Sequence, residues 1–491
     1  MKLVIEVLQD VAKIREDDKT ITLIWKRKED VEYILLGMND YSCYEVITKS
    51  EKNSITIKRE LLKNYHNYKV DYIYDNNKSK KSELLNIRSI KSYKGYTLSI
   101  DNDKVYDLYK IYKKINNKYK LILITEDFII TSNLFDNKST YYIEAYIKEK
   151  DDNILKAKSK EFKIDPITID SKDKKISVVI PMYNRELYIS RCIDSILLST
   201  FNNIELILVN DCSSDNTSKI LKWYKNTYKN IITVINNKDN SGVSVSRNKG
   251  IEVSCGDYIS FIDSDDYIHS SMYEKLYNLG VKEQLDVVIS KVIIREKPFK
   301  YSYYLDNKED VIYTYDEMFN KIHTKDNIYF ASSCNRIVKT NYVKELLFPN
   351  LRCYEDISFT RSLYSRIDRF GYINNTYYVW DKRNSKIFET LSSRAMYGKF
   401  DIAYHNMYID ALTYVFKTCN KERLESITYS NIYDIYDFFI NKELEKNSPK
   451  LFNIYKAYVI GVNNIIDLLS NKYIKKDKEL YKYIKNLLKE K

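Results

Sequence analysis

Two stretches of the chain carry acids at positions where acids do chemistry. Residues 204–215 read IELILVNDCSSD and residues 258–266 read YISFIDSDD. Each is an apolar run that stops abruptly in carboxylates, Asp211 and Asp215 in the first, Asp263, Asp265 and Asp266 in the second. Residues 206–209 and 259–262 carry no charge and are apolar but for Ser260, which predicts strands of a parallel sheet buried on both faces. Ligands of open α/β sheets collect at the carboxyl ends of such strands. Acids converging there without matching bases point to a hard cation and a phosphate-bearing ligand. The plainer alternative is that these residues are helix caps and turn formers. For Asp215 that account is as good as the functional one.

The elements that must position these acids alternate in type. Residues 176–180 predict a strand stopped by Pro181. Residues 186–198 place Leu187, Ile189, Ile193, Ile196 and Leu197 on one helical face, with Asn184 as the cap. Strand 204–209, helix 214–228, strand 231–235, helix 243–253 and strand 258–262 continue the pattern. Strands alternating with helices of this length predict an α/β catalytic domain over residues 172–390, with a doubly wound, mostly parallel sheet.

Residues 1–168 read differently. Short runs rich in β-branched and aromatic residues (21–25, 54–57, 70–74) are separated by polar clusters, and a second set (119–124, 128–130, 141–147) follows in the same order. The repetition predicts two all-β sandwich modules, 1–90 and 91–168, outside the catalytic sheet. Residues 84–87 and 161–164 would be their last strands. The pattern resembles fibronectin type III modules, with Trp25 in the position of their core tryptophan. Such modules position or bind rather than catalyse. Residues 158–175, charged and containing Pro166, read as a linker.

The last hundred residues, 391–491, predict helices. Ile432, Ile435, Tyr436 and Phe439 share one face, and Ser448-Pro449 is a helix start. Ile454, Tyr458, Val462, Ile465 and Leu469 share another. Residues 473–491 pair Leu480, Ile484, Leu487 and Leu488 with many lysines. This basic amphipathic helix either docks on the rest of the chain or makes peripheral contact with an anionic membrane.

Composition narrows the function classes. A chain of 491 residues exceeds one core and implies three or four domains. The net charge of +12 invites a polyanionic partner, but the lysines are scattered and no nucleic-acid motif is present, so nucleic acid is not expected. Seven cysteines at irregular spacing, without CxxC, predict neither a disulfide framework nor a zinc site. Reduced thiols, the acids in MKLVIEVLQD and the lack of a bilayer-length apolar run predict a cytoplasmic protein, soluble or peripheral at the inner face of the membrane.

The ordered set VVIPMYNRELYISRCIDSIL, IELILVNDCSSDNT, NSGVSVSRNKGI and GDYISFIDSDDYI, with CNRIVKTNYV and YEDISF downstream, resembles the family-2 glycosyltransferases. It covers residues 175–385. The resemblance implies a GT-A fold and an inverting, metal-dependent transfer from a UDP-sugar to an acceptor hydroxyl. The acceptor would be a glycan or lipid-linked glycan in cell-surface polysaccharide or glycoconjugate synthesis. It implies Asp263-Ser264-Asp265 as the DxD element, with Asp265 the direct ligand of Mn²⁺ or Mg²⁺ and Asp263 on the ribose or the metal shell. Asp266 is either part of this element or a cap. Asp211 would read the uracil N–H and Tyr183 would stack on the base, with Pro181 and Asn184 in the same loop. Arg247 of the SRN triplet would face the diphosphate or pack against the acidic turns.

Asp356 matches the family's general base, with Glu355 supporting it or binding acceptor. The structural alternative is that both are acids enriched in a first helical turn. Lys382 or Arg383, in a run that departs from the family's aromatic-Arg pattern, would close over the diphosphate. Two rival readings stand beside this one: a polymerase-type transferase on a lipid-linked acceptor, and a non-catalytic carbohydrate-binding scaffold. A scaffold has no use for Asp211, Asp265 and Asp356 together.

Overall fold

In the computed structural model, the described residues are 11–16, 20–25, 31–38, 44–50, 54–58, 67–74, 83–93, 95–101, 106–149, 152–169, 173–297, 300–304, 309–322, 332–351, 354–382, 402–436 and 449–489. They form three sheets and a C-terminal group of helices.

The sheet around which the site is built contains Ile176–Met182, Ile204–Asn210, Ile232–Asn236 and Tyr258–Phe261, all parallel. Their spatial order runs 232–236, 204–210, 176–182, 258–261. Order reverses between the last two, so their carboxyl ends flank a topological switch point, where open α/β sheets bind ligands. Every residue of Ile176–Met182 and Ile204–Asn210 is buried, as strands covered on both faces require. One cover is the helix Val243–Val253. It packs tightly because Gly250 has no side chain; a Cβ there would lie 2.3 Å from a Val179 methyl. Beyond Tyr258–Phe261 the sheet turns mixed. Arg336–Lys339 is antiparallel to its neighbours, followed by Val287–Lys297, Arg369–Asp381 and the two-residue strand Tyr267–Ile268.

Among the described residues, 1–168 contribute strands only, and none pairs with the catalytic sheet. Val11–Glu16, Thr20–Trp25 and Ser54–Lys58 make one three-stranded sheet. Tyr44–Ser50, Val31–Met38 and Asn67–Tyr74 pair separately and join the later strands through two residue pairs, Leu123↔Glu45 and Ile124↔Tyr44. The Trp25 side chain lies outside the described residues. Residues 84–87, expected to end the first module, sit in Glu83–Ser92, which pairs with Gly95–Asp101 and, in parallel, with Asp152–Ser159. The boundary expected at residue 90 therefore falls inside a strand of the second β unit.

That second unit is not a free-standing module. Its Ile90 packs in the core of the catalytic sheet, and Phe128, Ile129 and Ile130 share a core with Tyr267, Ile293, Tyr377 and Val379. The expected linker is tied down as well: Phe162–Lys163 pairs with Thr140–Glu149, and the Ile167 N–H donates to the Ser89 carbonyl. Arg88 donates to the Ser199 carbonyl at 3.0 Å, and the Tyr228 hydroxyl to that of Lys91 at 2.6 Å.

The C-terminal helices include Ile402–Thr418, Leu424–Ile435, Pro449–Ile465 and Lys478–Lys489. Pro449 opens its helix, where its missing N–H costs nothing. Phe439 lies outside the described residues. On Pro449–Ile465 the expected face packs in part, Val462 buried and Ile454 and Tyr458 half-buried against one cluster. Tyr455, Val459 and Val462 are buried, whereas Ile465, at the helix end, is 70% exposed. Leu480, Ile484 and Leu487 are buried in the same cluster, so the stripe that could have lain on a membrane is covered by protein. Among the described residues no helix is long and apolar enough to cross a membrane.

The interface between the second β unit and the catalytic sheet contains a buried carboxyl, Asp194 in helix Ile189–Leu197. It accepts from the hydroxyls of Ser92, Thr97 and Tyr224 at 2.6, 2.5 and 2.7 Å. Burial outweighs these donors and pushes its pKa up to about 6. The folded state thus holds a proton that the unfolded chain releases near pH 4, so stability falls as pH rises from about 4 to about 6. Urea denaturation should show Asp194→Asn gaining on the wild type across that window. A pH-independent difference would mean that Asp194 titrates as an ordinary carboxyl.

Candidate active site

The loop after Ile176–Met182 forms one wall. Asn184 does not cap the next helix, which starts only at Ile189. Its backbone turns left-handed, with φ at 52°, and its side-chain carbonyl accepts the Ser214 N–H at 2.8 Å. Its own N–H donates to the Ser213 hydroxyl. This turn leaves the Tyr183 ring 43% exposed beside the strand end, free to stack on a planar ligand. Pro181 is buried within the strand, opposite Val209, and offers a ligand no side-chain surface. Asp215 takes the plainer of its two roles, accepting the N–H groups of Glu186 and Thr217 ahead of helix Thr217–Thr227.

Asp211 follows the next strand and is nearly buried. Its Oδ1 accepts from Asn237 Nδ2 at 2.7 Å and the Ser241 N–H at 2.9 Å, and its Oδ2 from the Gly242 N–H at 2.8 Å. A carboxylate has about four acceptor sites, so Oδ2 keeps one for a ligand N–H. Gly242 suits this closure because its φ of 90° is costly for any residue with a Cβ.

Helix Val243–Val253 starts at that glycine and carries Arg247 inward. The guanidinium is buried and bridges Asp263 at 3.1 Å and Glu355 at 2.8 Å. Burial works against its charge, but Glu355 and Asp263 overcome that and raise its pKa. Of the two roles expected for Arg247, the structure shows packing against the acidic turns rather than an open face toward a diphosphate. Its Nη1 and Nη2 are committed to protein carboxylates, and it acts as a strut. Asn248, one residue on, exchanges two 2.8 Å hydrogen bonds with the Phe348 backbone, fixing the segment that leads to Glu355.

The Asp263-Ser264-Asp265 turn follows Tyr258–Phe261. Ser264 is buried. Asp263 gives one oxygen to Arg247 and stays 46% exposed as a side chain; Asp265 is 40% exposed, with Arg185 at 3.8 Å. Asp265 has its pKa raised by desolvation, against Arg185 and with the help of Asp263. Asp266 is buried, accepting from the Tyr378 hydroxyl and the Asp381 N–H, and caps no helix.

Among the described residues no group of three or more His, Cys, Asp or Glu side chains could enclose an ion. One or two open carboxylates remain, Asp265 and the free face of Asp263. That donor set fits a cation that completes its shell with phosphate oxygens and water, as Mg²⁺ commonly does.

Glu355 and Asp356 begin helix Glu355–Tyr364. The preceding Tyr354 is left-handed, with φ at 63°, a strained state for a bulky residue, and its ring packs against Tyr408 at 5.0 Å. Asp356 accepts the Ile357 N–H at 2.8 Å. Burial and then the charge of Glu355 push it up to about 7, against Arg247 and that hydrogen bond. Lys382 lies over the Trp380 ring at 3.9 Å, and Arg383 is outside the described residues.

Sequence reasoning missed Arg185 and Arg191, which lie within the quoted NRELYISRC stretch. Arg191 is buried, donates to the Asp265 carbonyl at 3.1 Å and pairs with Asp381 at 2.9 Å. An arginine among the apolar positions of a predicted helix was the available signal.

With this geometry in place, residues 177–347 match the Glycosyl transferase family 2 profile. Among curated relatives, Glycosyltransferase GlyA of Streptococcus pneumoniae is 27% identical over 246 residues, 47% of this chain and 34% of that one. Poly(ribitol-phosphate) beta-glucosyltransferase of Bacillus spizizenii is 32% identical over 219 residues, 43% of this chain and 33% of that one. The match thus spans about a third of the length of each of these relatives. Among solved structures, S. aureus TarS 1–349 in complex with UDP-GlcNAc aligns with a TM-score of 0.49 at 22% identity, covering 64% of this chain and 92% of that one.

Removing one partner of a buried ion pair strands the other, at a cost of about 3–5 kcal/mol. Arg247→Gln should therefore lower unfolding stability by that order, as read by urea denaturation. A loss below about 1 kcal/mol would show that solvent already screens the bridge.

Proposed function

We propose that this protein is an inverting glycosyltransferase that moves a sugar from a UDP-sugar to a hydroxyl of a cell-surface polysaccharide or glycoconjugate. The observation that carries the reading is the Arg247 bridge. It ties an acidic turn with open carboxylates, Asp263 and Asp265, to a second acidic pair, Glu355 and Asp356, in which one carboxyl is poised near neutrality. The first suits a nucleoside diphosphate with its cation, the second an acceptor hydroxyl.

In this reading Tyr183 stacks on the uracil ring, and Asp211 accepts the ring N–H with its remaining lone pair. Asp265, with Asp263 beside it, holds Mn²⁺ or Mg²⁺; when bound, the cation supplies positive charge to the departing diphosphate. Asp356 takes the proton of the acceptor hydroxyl as that oxygen attacks the anomeric carbon. The new C–O bond forms as the bond from the anomeric carbon to the diphosphate oxygen breaks, and UDP leaves with that electron pair. Attack opposite the leaving group inverts the anomeric centre. Glu355, already paired with Arg247, holds the base in place. Lys382, parked on Trp380, follows strand Arg369–Asp381, whose end pairs with Tyr267 just beyond the acidic turn, and Arg383 follows it; both are proposed on the diphosphate side. The naming of the Bacillus spizizenii relative makes phosphate-linked polyols the first acceptor class to test, ahead of lipid-linked glycans.

Asp356→Asn should cut transfer by about two to four orders of magnitude while leaving UDP affinity unchanged. Near wild-type transfer, or a product with retained configuration, would sink the assignment. Because the base must be unprotonated, kcat/KM should fall about tenfold per pH unit below about 7. Arg247 favours the charged form of Asp356, so a folded Arg247→Gln variant should move that limb to higher pH.

Calorimetry should show UDP binding that weakens in EDTA and in Asp265→Ala. Equal affinity for CDP would contradict the role of Asp211.

A further inference from the structure

The turn between strands Lys118–Thr125 and Ile129–Ser132 of the second β unit carries two adjacent acids, Glu126 and Asp127, both buried against the catalytic sheet. Arg295, fully buried on Val287–Lys297, donates to Glu126 at 2.9 Å and is ion-paired with Asp127. The hydroxyl of Tyr267 donates to Asp127 at 2.9 Å and receives from Arg295 at 3.1 Å. Tyr267 is the residue immediately after Asp266, so this clamp holds the end of the acidic turn.

The other side of the same ring carries the connection onward. The Arg191 guanidinium lies over Tyr267, 4.5 Å from the ring centre. It donates to the Asp265 carbonyl and pairs with Asp381, whose N–H in turn holds the Asp266 carboxyl at 2.9 Å. Residues 265–267, Asp265 through its carbonyl and Asp266 and Tyr267 through their side chains, are therefore held by a chain of buried polar contacts that begins in the β unit. These groups are buried, whereas the Asp263 and Asp265 carboxylates are partly exposed.

We propose that the Glu126–Asp127 turn of the second β unit is a positioning element of the donor site: acting through Tyr267 and Arg191, it sets the direction of the Asp265 carboxylate. The inference rests on the reading of Asp265 as the cation-binding residue of a UDP-sugar site. A partner that bonds a ligating residue directly commonly changes metal affinity by about 10–100-fold when lost; Arg191 stands in that position, and Tyr267 and Asp127 act on it from one and two contacts further out.

The test uses the full chain with Asp127→Asn and, separately, Tyr267→Phe. The second variant deletes one hydroxyl and keeps the ring under Arg191, so it remains informative if the first fails to fold. Thermal unfolding establishes that each variant is native. UDP binding is then titrated by calorimetry at a series of Mn²⁺ concentrations and in EDTA. The expected result is a rise of several-fold, up to about tenfold, in the Mn²⁺ concentration giving half-maximal UDP affinity, the low end of what loss of a direct partner gives. Binding should recover at saturating Mn²⁺, and residual UDP binding in EDTA should be unchanged. Misfolding cannot give that pattern, because added Mn²⁺ would not rescue it. Folded variants with wild-type Mn²⁺ dependence overturn this inference and leave the donor site standing. A wild type whose UDP binding ignores Mn²⁺ overturns the donor-site reading, and this inference with it.

Discussion

Like charges must be held together in this molecule. Asp263, Asp265 and Asp266 follow one another on one turn, and Glu355 and Asp356 converge on it from a helix start. Burial alone would protonate such a group, and Asp356, pushed up to about 7, shows the pressure. Arg247 limits it by sitting between the two sets, paired with Asp263 on one side and Glu355 on the other. A buried bridge of this kind is weak as a source of net stability and strong as a specification of geometry. The local architecture is arranged to deliver that one guanidinium: the left-handed glycine that starts its helix, the helix close to the central strand where Gly250 permits it, and Asn248 fastening the segment ahead of Glu355.

The acids are thereby sorted into different tasks by surroundings rather than by sequence. Asp266 is adjacent to Asp265, yet its two oxygens are occupied by Tyr378 and the Asp381 backbone. Asp265 keeps its carboxylate in the cleft and is restrained through its carbonyl. The C-terminal helices do comparable work around Glu355 and Asp356. Tyr408 packs on Tyr354, and Arg361 and Ser362 of the helix bearing Asp356 bond to Asn431 and Thr418.

What could be read from the sequence was what depends on short spans. The buried parallel strands, the acids at their ends, the helix opened by Pro449 and the helix start at Glu355 follow from apolar runs and terminal residues within a dozen positions. What could not be read depends on distant partners. Nothing near Arg247 in the chain indicates that Glu355, 108 residues away, will take it from a ligand. Tyr267 looks like one more strand tyrosine until Asp127, 140 residues earlier, accepts its hydroxyl. On Pro449–Ile465 the sequence did not point to Tyr455 and Val459, which lie on a stripe next to the expected one and are buried more deeply than Ile454 and Tyr458; tertiary packing chose between them.

The pattern of strands repeated over residues 1–168 invites a picture of beads joined by a string, each separately inherited. The buried carboxyl of Asp194, roofed by Ser92 and Thr97, argues for a different unit of cooperativity. Peeling the second β unit from the catalytic sheet would expose Ile90 and Phe128 and leave Arg295 without its two acids. Local opening is therefore expected to take residues 83–163 and the catalytic sheet together. Sequence repetition marks one boundary in this chain, and unfolding would mark another. Recombination that respected only the first would cut through the foundation of the acidic turn.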